Sequence, residues 1–137
     1  MNLENLESFD PRMCISGKMT RINRITANIF RKHLHPYDIT NSQTTILFIL
    51  SKLQGLPQKR LSEIAVLEKS TLNRNLKRLY DKELVSRKDF PVISITNKGK
   101  QFVNDIIPAW RNAMDEITNI LNPEGEQALN LLHNKLV

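Results

Sequence analysis

The sequence predicts a mostly α-helical chain: a winged helix-turn-helix lobe with a short two-stranded wing, a long helix before it and long helices after it. Three observations predict this. Apolar residues recur every three or four positions along most of the 137 residues. Two such segments, 58–65 and 68–80, are short and lie back to back. Directly after them the period drops to two, and Val85 to Lys88 and Val92 to Thr96 read as strands joined by Asp89-Phe90-Pro91. Residues 1–137 are expected to form a single domain.

The first helix is expected over 13–33, where Ile15, Met19, Ile22, Ile25 and Ile29 form an apolar stripe and Arg21, Arg24, Arg31 and Lys32 lie mostly off it. His35-Pro36-Tyr37-Asp38 ends it, because a residue before proline is pushed out of the helical region. Thr40 and Gln43 then fit a capping box, in which two side chains satisfy two otherwise orphaned backbone N–H groups. Ile46-Leu47-Phe48-Ile49-Leu50 is apolar on every side, so this second helix is expected to be buried. Gly55 and Pro57 punctuate the chain, and Leu61, Ile64 and Ala65 give a third helix one apolar face. The fourth helix carries Leu72, Leu76 and Leu79 on one side. After the strands, Thr96 is expected to cap a helix running to about residue 121. Val103, Ile106, Trp110, Met114, Ile117 and Leu121 give it a near-heptad stripe, and Pro108 is expected to kink it. Asn122-Pro123 starts a last helix, with Ala128, Leu129, Leu132 and Leu136 on its apolar face.

Hydrophobic residues make up 40% and charged residues 25%, an ordinary globular composition. The net charge of +6 favours a polyanionic or acidic partner. Residues 56–88 carry nine cations against four anions, whereas 101–137 carry two against five. The middle of the chain is the part built to face negative charge. A single cysteine excludes an internal disulfide and points to a reducing compartment. The acidic start MNLENLESFD lacks the apolar core of a signal peptide, and no apolar run approaches the ~18 residues of a membrane span. A cytoplasmic protein without a membrane partner is expected.

The fourth helix, EKSTLNRNLKRLY, sets its leucine ridge against a back made of cations, amides and hydroxyls. Such a ridge packs on a domain while its back enters the DNA major groove. Arg grips guanine and Asn grips adenine, each through two hydrogen bonds. Ser70, Thr71, Asn73 and Arg74 occupy the half of the helix that reaches bases. Lys69, Lys77 and Arg78 are placed for phosphates, as are Arg87 and Lys88 in the wing. The plain alternative is a solvated helix face. Such faces usually mix charge signs for pairing along the helix, and no anion occurs over 69–80.

LSEIAVLEKSTLNRNLKRLYDKELVSRK, followed by ISITNKGKQFV, resembles the MarR (multiple antibiotic resistance regulator) transcription factors. The family's Leu-Thr-x-x-Gly hallmark stands here as Ile95-Thr96-Asn97-Lys98-Gly99. The resemblance covers most of the chain and implies a DNA-binding lobe over 40–96 with dimerisation helices over 13–34 and 97–137. It implies a homodimer whose interface includes Ile15, Met19, Ile22, Trp110, Met114, Ile117 and Leu132. It also implies double-stranded DNA as partner and a small aromatic effector. Two departures are visible. The wing is cut to about 88–91 and lacks the Asp-x-Arg signature, and Lys82-Glu83 replaces the glycine of the turn after the fourth helix. Either a left-handed non-glycine residue is tolerated there, at a cost of ~1 kcal/mol, or the turn differs.

Some relatives in this resemblance sense organic hydroperoxides through a cysteine near the start of the first helix. Cys14 is the candidate here, with Arg12 and Lys18 nearby to favour a thiolate, but the first helix has no tyrosine beside it. A buried thiol acting as a small hydrophobe is the expected reading. His33 and His35 are too few for a metal site, so no metal is expected. Trp110 and Met114 suit either a dimer core or a ligand cleft. No Gly-rich phosphate loop or H-E-x-x-H occurs, and the side chains of adjacent Asp115 and Glu116 diverge on a helix, so neither an enzyme nor a cofactor is expected. Two functions remain: a dimeric sequence-specific DNA-binding regulator, expected to be a repressor released by an effector, or a winged helix used for protein assembly without DNA.

Overall fold

The computed structural model describes residues 1–137. Six helices occur in chain order: α1 Glu4–Ser8, α2 Ile15–Leu34, α3 Asn41–Lys52, α4 Gln58–Ala65, α5 Lys69–Asp81 and α6 Asn97–Leu136. Three short strands, β1 Leu56–Pro57, β2 Val85–Ser86 and β3 Val92–Ile95, form an antiparallel sheet in the order β1-β3-β2. The winged helix-turn-helix is therefore present. Its hairpin pairs Val85 with Ile95 and Ser86 with Ser94, and β1 adds a third strand that the sequence reading lacked. Two residues, one of them proline, carry no legible period of two.

Several boundaries follow from identifiable caps. Thr40 and Gln43 form the expected capping box on α3. Thr96 caps α6: its hydroxyl accepts from the Gly99 amide at 2.9 Å and donates to the Glu83 carbonyl at 2.7 Å. A Cβ on Gly99 would collide with the Leu84 carbonyl, which explains the glycine of the hallmark. The α6 backbone stays helical through Pro108 and departs from helical geometry at Asn122. The break expected at Asn122-Pro123 is present.

Both turns that frame α5 end the preceding helix in the same way. Leu67 N–H bonds Ser62 O while Val66 N–H bonds Glu63 O. Leu84 N–H likewise bonds Leu79 O while Glu83 N–H bonds Tyr80 O. These are Schellman motifs, which need a left-handed residue after the helix. Val66 (φ 53°) and Glu83 (φ 60°) supply it without glycine, so the left-handed non-glycine turn anticipated at Lys82-Glu83 is present and has a twin.

The core lies in the lobe. Ile46, Leu47 and Leu50 of α3, Leu61 of α4, the Leu72-Leu76-Leu79 ridge, and Leu84, Val85 and Ile93 pack as one buried cluster. Phe48 and Ile49 are only half-buried, so α3 is less completely enclosed than its sequence suggests. Phe48 meets Trp110 of α6 edge to face, with ring centroids 5.8 Å apart. Helix α2 packs along α6, yet Ile15, Ile22, Ile25, Met114 and Leu132 remain exposed, with Met19, Trp110 and Ile117 half-buried. The exposed helix α1 was not foreseen, because five residues give no helical stripe to recognise. No helix is long and apolar enough to cross a membrane.

Candidate nucleic-acid interface

Burial of Leu72, Leu76 and Leu79 fixes the rotation of α5, so its other face is set by the 3.6-residue period. Ser70, Asn73, Arg74 and Lys77 stand exposed on it. Thr71 is half-buried, and its hydroxyl accepts from Arg74 Nη2 at 3.4 Å. Lys69 opens the helix, and no side chain caps that end. Leading amides of an uncapped helix N-terminus favour an anion. Lys77 pairs with Asp81 at 3.5 Å, the one acid on this face, and that pair is solvent-exposed and worth little.

Arg78 is exposed. It lines a polar cleft of about 380 Å³ with Arg31, His35, Asp38, Asp81 and Lys82. Lys82 there donates to the Asp38 carbonyl and sits 3.6 Å from its carboxylate, so it ties the α2–α3 elbow to the end of α5. Arg87 lies 4.9 Å from the centre of the Tyr80 ring, which couples the wing to α5 by a cation–π contact. Burial pushes the Tyr80 hydroxyl pKa up, and the Arg87 charge partly opposes this. Lys88 is exposed, its amide bonded to Ser86 Oγ at 3.1 Å.

The sequence reading missed Gln58. Its side chain crosses from α4 and donates to Asn73 Oδ1. No sequence signal links two residues on different helices, because the contact depends on how α4 crosses α5.

Cys14 is exposed rather than buried, which corrects the expected packing role. It caps α2, its Sγ accepting from the Gly17 amide at 3.4 Å. A capping side chain must lie outside the first turn, and here that places the thiol at the surface. No three His, Cys, Asp or Glu side chains come together as a metal site.

Between α2, α3 and the α4–α5 turn lies a cavity of about 530 Å³ lined by Asn23, Arg31, Thr45 and Leu67 among others. A neighbouring cavity of about 220 Å³ shares Asn23, Ala27, Asn41 and Thr45 and adds Phe30, Phe48 and Trp110. Trp110 therefore faces this cleft within its own chain.

Residues 39–91 match the MarR family. A MarR-family transcriptional regulator from Silicibacter pomeroyi is 30% identical, covering 86% of this chain and 84% of that one with a TM-score of 0.67. The HTH-type transcriptional regulator MhqR of Bacillus subtilis is 25% identical over 112 residues, 77% of each chain. BpsR of Bordetella bronchiseptica, whose DNA binding is regulated by 6-hydroxynicotinic acid, has a TM-score of 0.81 over 94% of this chain and 98% of its own. At 18% identity that last likeness concerns the fold alone.

Proposed function

The chain belongs to the MarR family of DNA-binding transcriptional regulators, and from that premise we propose that it is a homodimeric repressor released from DNA by a small aromatic effector. The observation that carries the DNA-reading part is the exposed face of α5, where Ser70, Asn73, Arg74 and Lys77 oppose a wholly buried leucine ridge. Ser70, Asn73 and Arg74 meet base edges, with Thr71 holding the Arg74 guanidinium. Lys69, Lys77, Arg78, Arg87 and Lys88 neutralise phosphates.

Dimerisation is supported by the apolar residues that α2 and α6 leave uncovered, Ile15, Ile22, Met114 and Leu132 among them. An effector is supported by two neighbouring cavities, one lined by Arg31 and the other by the Phe48 and Trp110 rings. An aromatic acid suits that combination, a ring against rings and a carboxylate against the guanidinium. The relative whose DNA binding responds to 6-hydroxynicotinic acid supports this ligand class.

The test is a titration of duplex DNA from the gene's own upstream region across a salt series. If Lys69, Lys77, Arg78, Arg87 and Lys88 of two protomers each neutralise one phosphate, log affinity falls against log salt with a slope of about −9. Binding insensitive to salt, or absent, would remove the DNA-reading assignment and leave the protein-assembly role.

A further inference from the structure

Gln58 is the first residue of α4 and sits half-buried between the two helices of the DNA-reading pair. Its Nε2 donates to Oδ1 of Asn73, and no other side-chain hydrogen bond reaches Asn73. An asparagine free to turn its amide offers one acceptor and one donor, which suits adenine: it accepts from N6 and donates to N7. Held by Gln58, Asn73 has its oxygen turned toward α4 and offers the groove only N–H donors. A donor-only edge meets two acceptors on guanine, O6 and N7. On adenine it meets one acceptor beside an amino group that is itself a donor.

We infer that Gln58 is a positioning residue that fixes the Asn73 amide as a donor and turns the base preference of Asn73 from adenine to guanine. The inference rests on the reading of α5 as the base-contacting helix. It adds a residue outside that helix to the specificity of the site, and it names the base.

The experiment is selection of binding sites from a randomised duplex library by the full chain, compared for the parent, Gln58→Ala, Gln58→Glu and Asn73→Ala. The parent is expected to select guanine at one base pair of each half-site, by roughly ten-fold over adenine. Asn73→Ala erases preference at that base pair. Gln58→Ala frees the amide, and the selected base moves to adenine. Gln58→Glu offers only acceptors, so the Asn73 amide turns round, presents its oxygen to the groove, and selects the amino group of cytosine or adenine. Salt slopes stay equal among the parent, Gln58→Ala and Asn73→Ala, because none of these changes alters a charge or removes a phosphate contact. Gln58→Met preserves side-chain volume without the amide and replaces Gln58→Ala if truncation lowers the melting temperature.

If Asn73→Ala erases the preference while every Gln58 substitution leaves guanine selected, Gln58 has no role and the reading of α5 survives. A parent that selects an A·T pair at that position also overturns the inference. If Asn73→Ala alters preference nowhere, Asn73 does not read a base, and the inference falls together with that part of the proposed function.

Discussion

The lobe and the flanking helices treat their apolar residues in opposite ways. In the lobe, ten buried side chains between Ile46 and Ile93 form one closed cluster. Helix α2, with 20 residues, buries only Leu34, and α6, with 40, buries only Gly99, Ile106 and Ala113. The lobe is thus completed by its own chain, whereas the long helices carry an apolar pattern that a single chain does not use. Covering an exposed isoleucine recovers about 1.5–3 kcal/mol, so a stripe of them is a strong drive to associate. In the proposed dimer, association resides at one end of the molecule and sequence recognition at the other.

The largest break in this contrast is expected from Ile22→Asp. Ile22 is 54% exposed in the single chain and lies at the centre of the α2 stripe. Once covered by a second copy, a carboxylate there would be desolvated without a partner, at a cost of about 3 kcal/mol or more per chain. Sedimentation equilibrium is expected to show parent dimers and a variant that dissociates or unfolds. A folded, monodisperse parent monomer of 15.9 kDa would sink the idea outright.

Arg74→Ala acts at the other end. Because Arg74 is exposed and outside the core, its loss is expected to leave the dimer and its melting temperature unchanged. Affinity for the cognate site should fall by about 1–3 kcal/mol if the guanidinium makes a two-bond base contact. Lys77→Ala should instead weaken every duplex alike and lower the steepness of the salt slope by about one per protomer. Equal losses on cognate and random DNA for Arg74→Ala would show that it grips the backbone rather than a base.

How far the sequence revealed this division depends on the range of the interactions. Caps act over three residues, so the capping box at Thr40, the cap at Thr96 and the break at Asn122 were all legible. The leucine ridge was legible because its period is local to α5. Strand β1 was not, since Leu56 finds its partner Ile93 through tertiary folding. Gln58 was silent for the same reason. Cys14 was misplaced because the residues beside it are apolar, and neighbours in sequence do not decide which residue becomes a cap. Gly99 was recognised only by resemblance, and the structure supplies its cause in the Leu84 carbonyl.

Strain offers a smaller and more pointed test of the lobe. Val66 is β-branched, left-handed and 83% exposed, so its side chain contributes little packing to offset its backbone. Val66→Gly relieves about 1–2 kcal/mol of strain and gives back part of that through the greater freedom of glycine in the unfolded chain. A net gain of about 0.5–1 kcal/mol is expected in denaturant unfolding. A net loss would mean that the exposed side chain makes a contact in the dimer or on DNA. Comparing the variant with and without duplex separates those two.

The smallest expected effect tests whether α2 and α6 are joined within one chain, as the contrast between lobe and helices requires. Lys32 Nζ lies 2.5 Å from Glu116 Oε1, and His33 Nε2 lies 3.6 Å from the same oxygen. The Lys32 hydrogen bond, opposed by desolvation and aided by the charges of Lys32 and His33, holds the Glu116 carboxyl below its ordinary pKa. A carboxylate whose pKa is depressed by folding stabilises the fold fully above its unfolded pKa, about 4.3, and loses that contribution as pH falls through the folded value. Glu116→Gln removes the charge at every pH. The parent should therefore melt slightly higher than Glu116→Gln near pH 7, and the gap should close as the pH is lowered from about 5 to 3. Lys32→Met should close it in the same way from the other side of the pair. A gap of constant size across that range would mean that Glu116 acts through its shape rather than its charge. The polar joint between α2 and α6 would then have to be sought in the second chain.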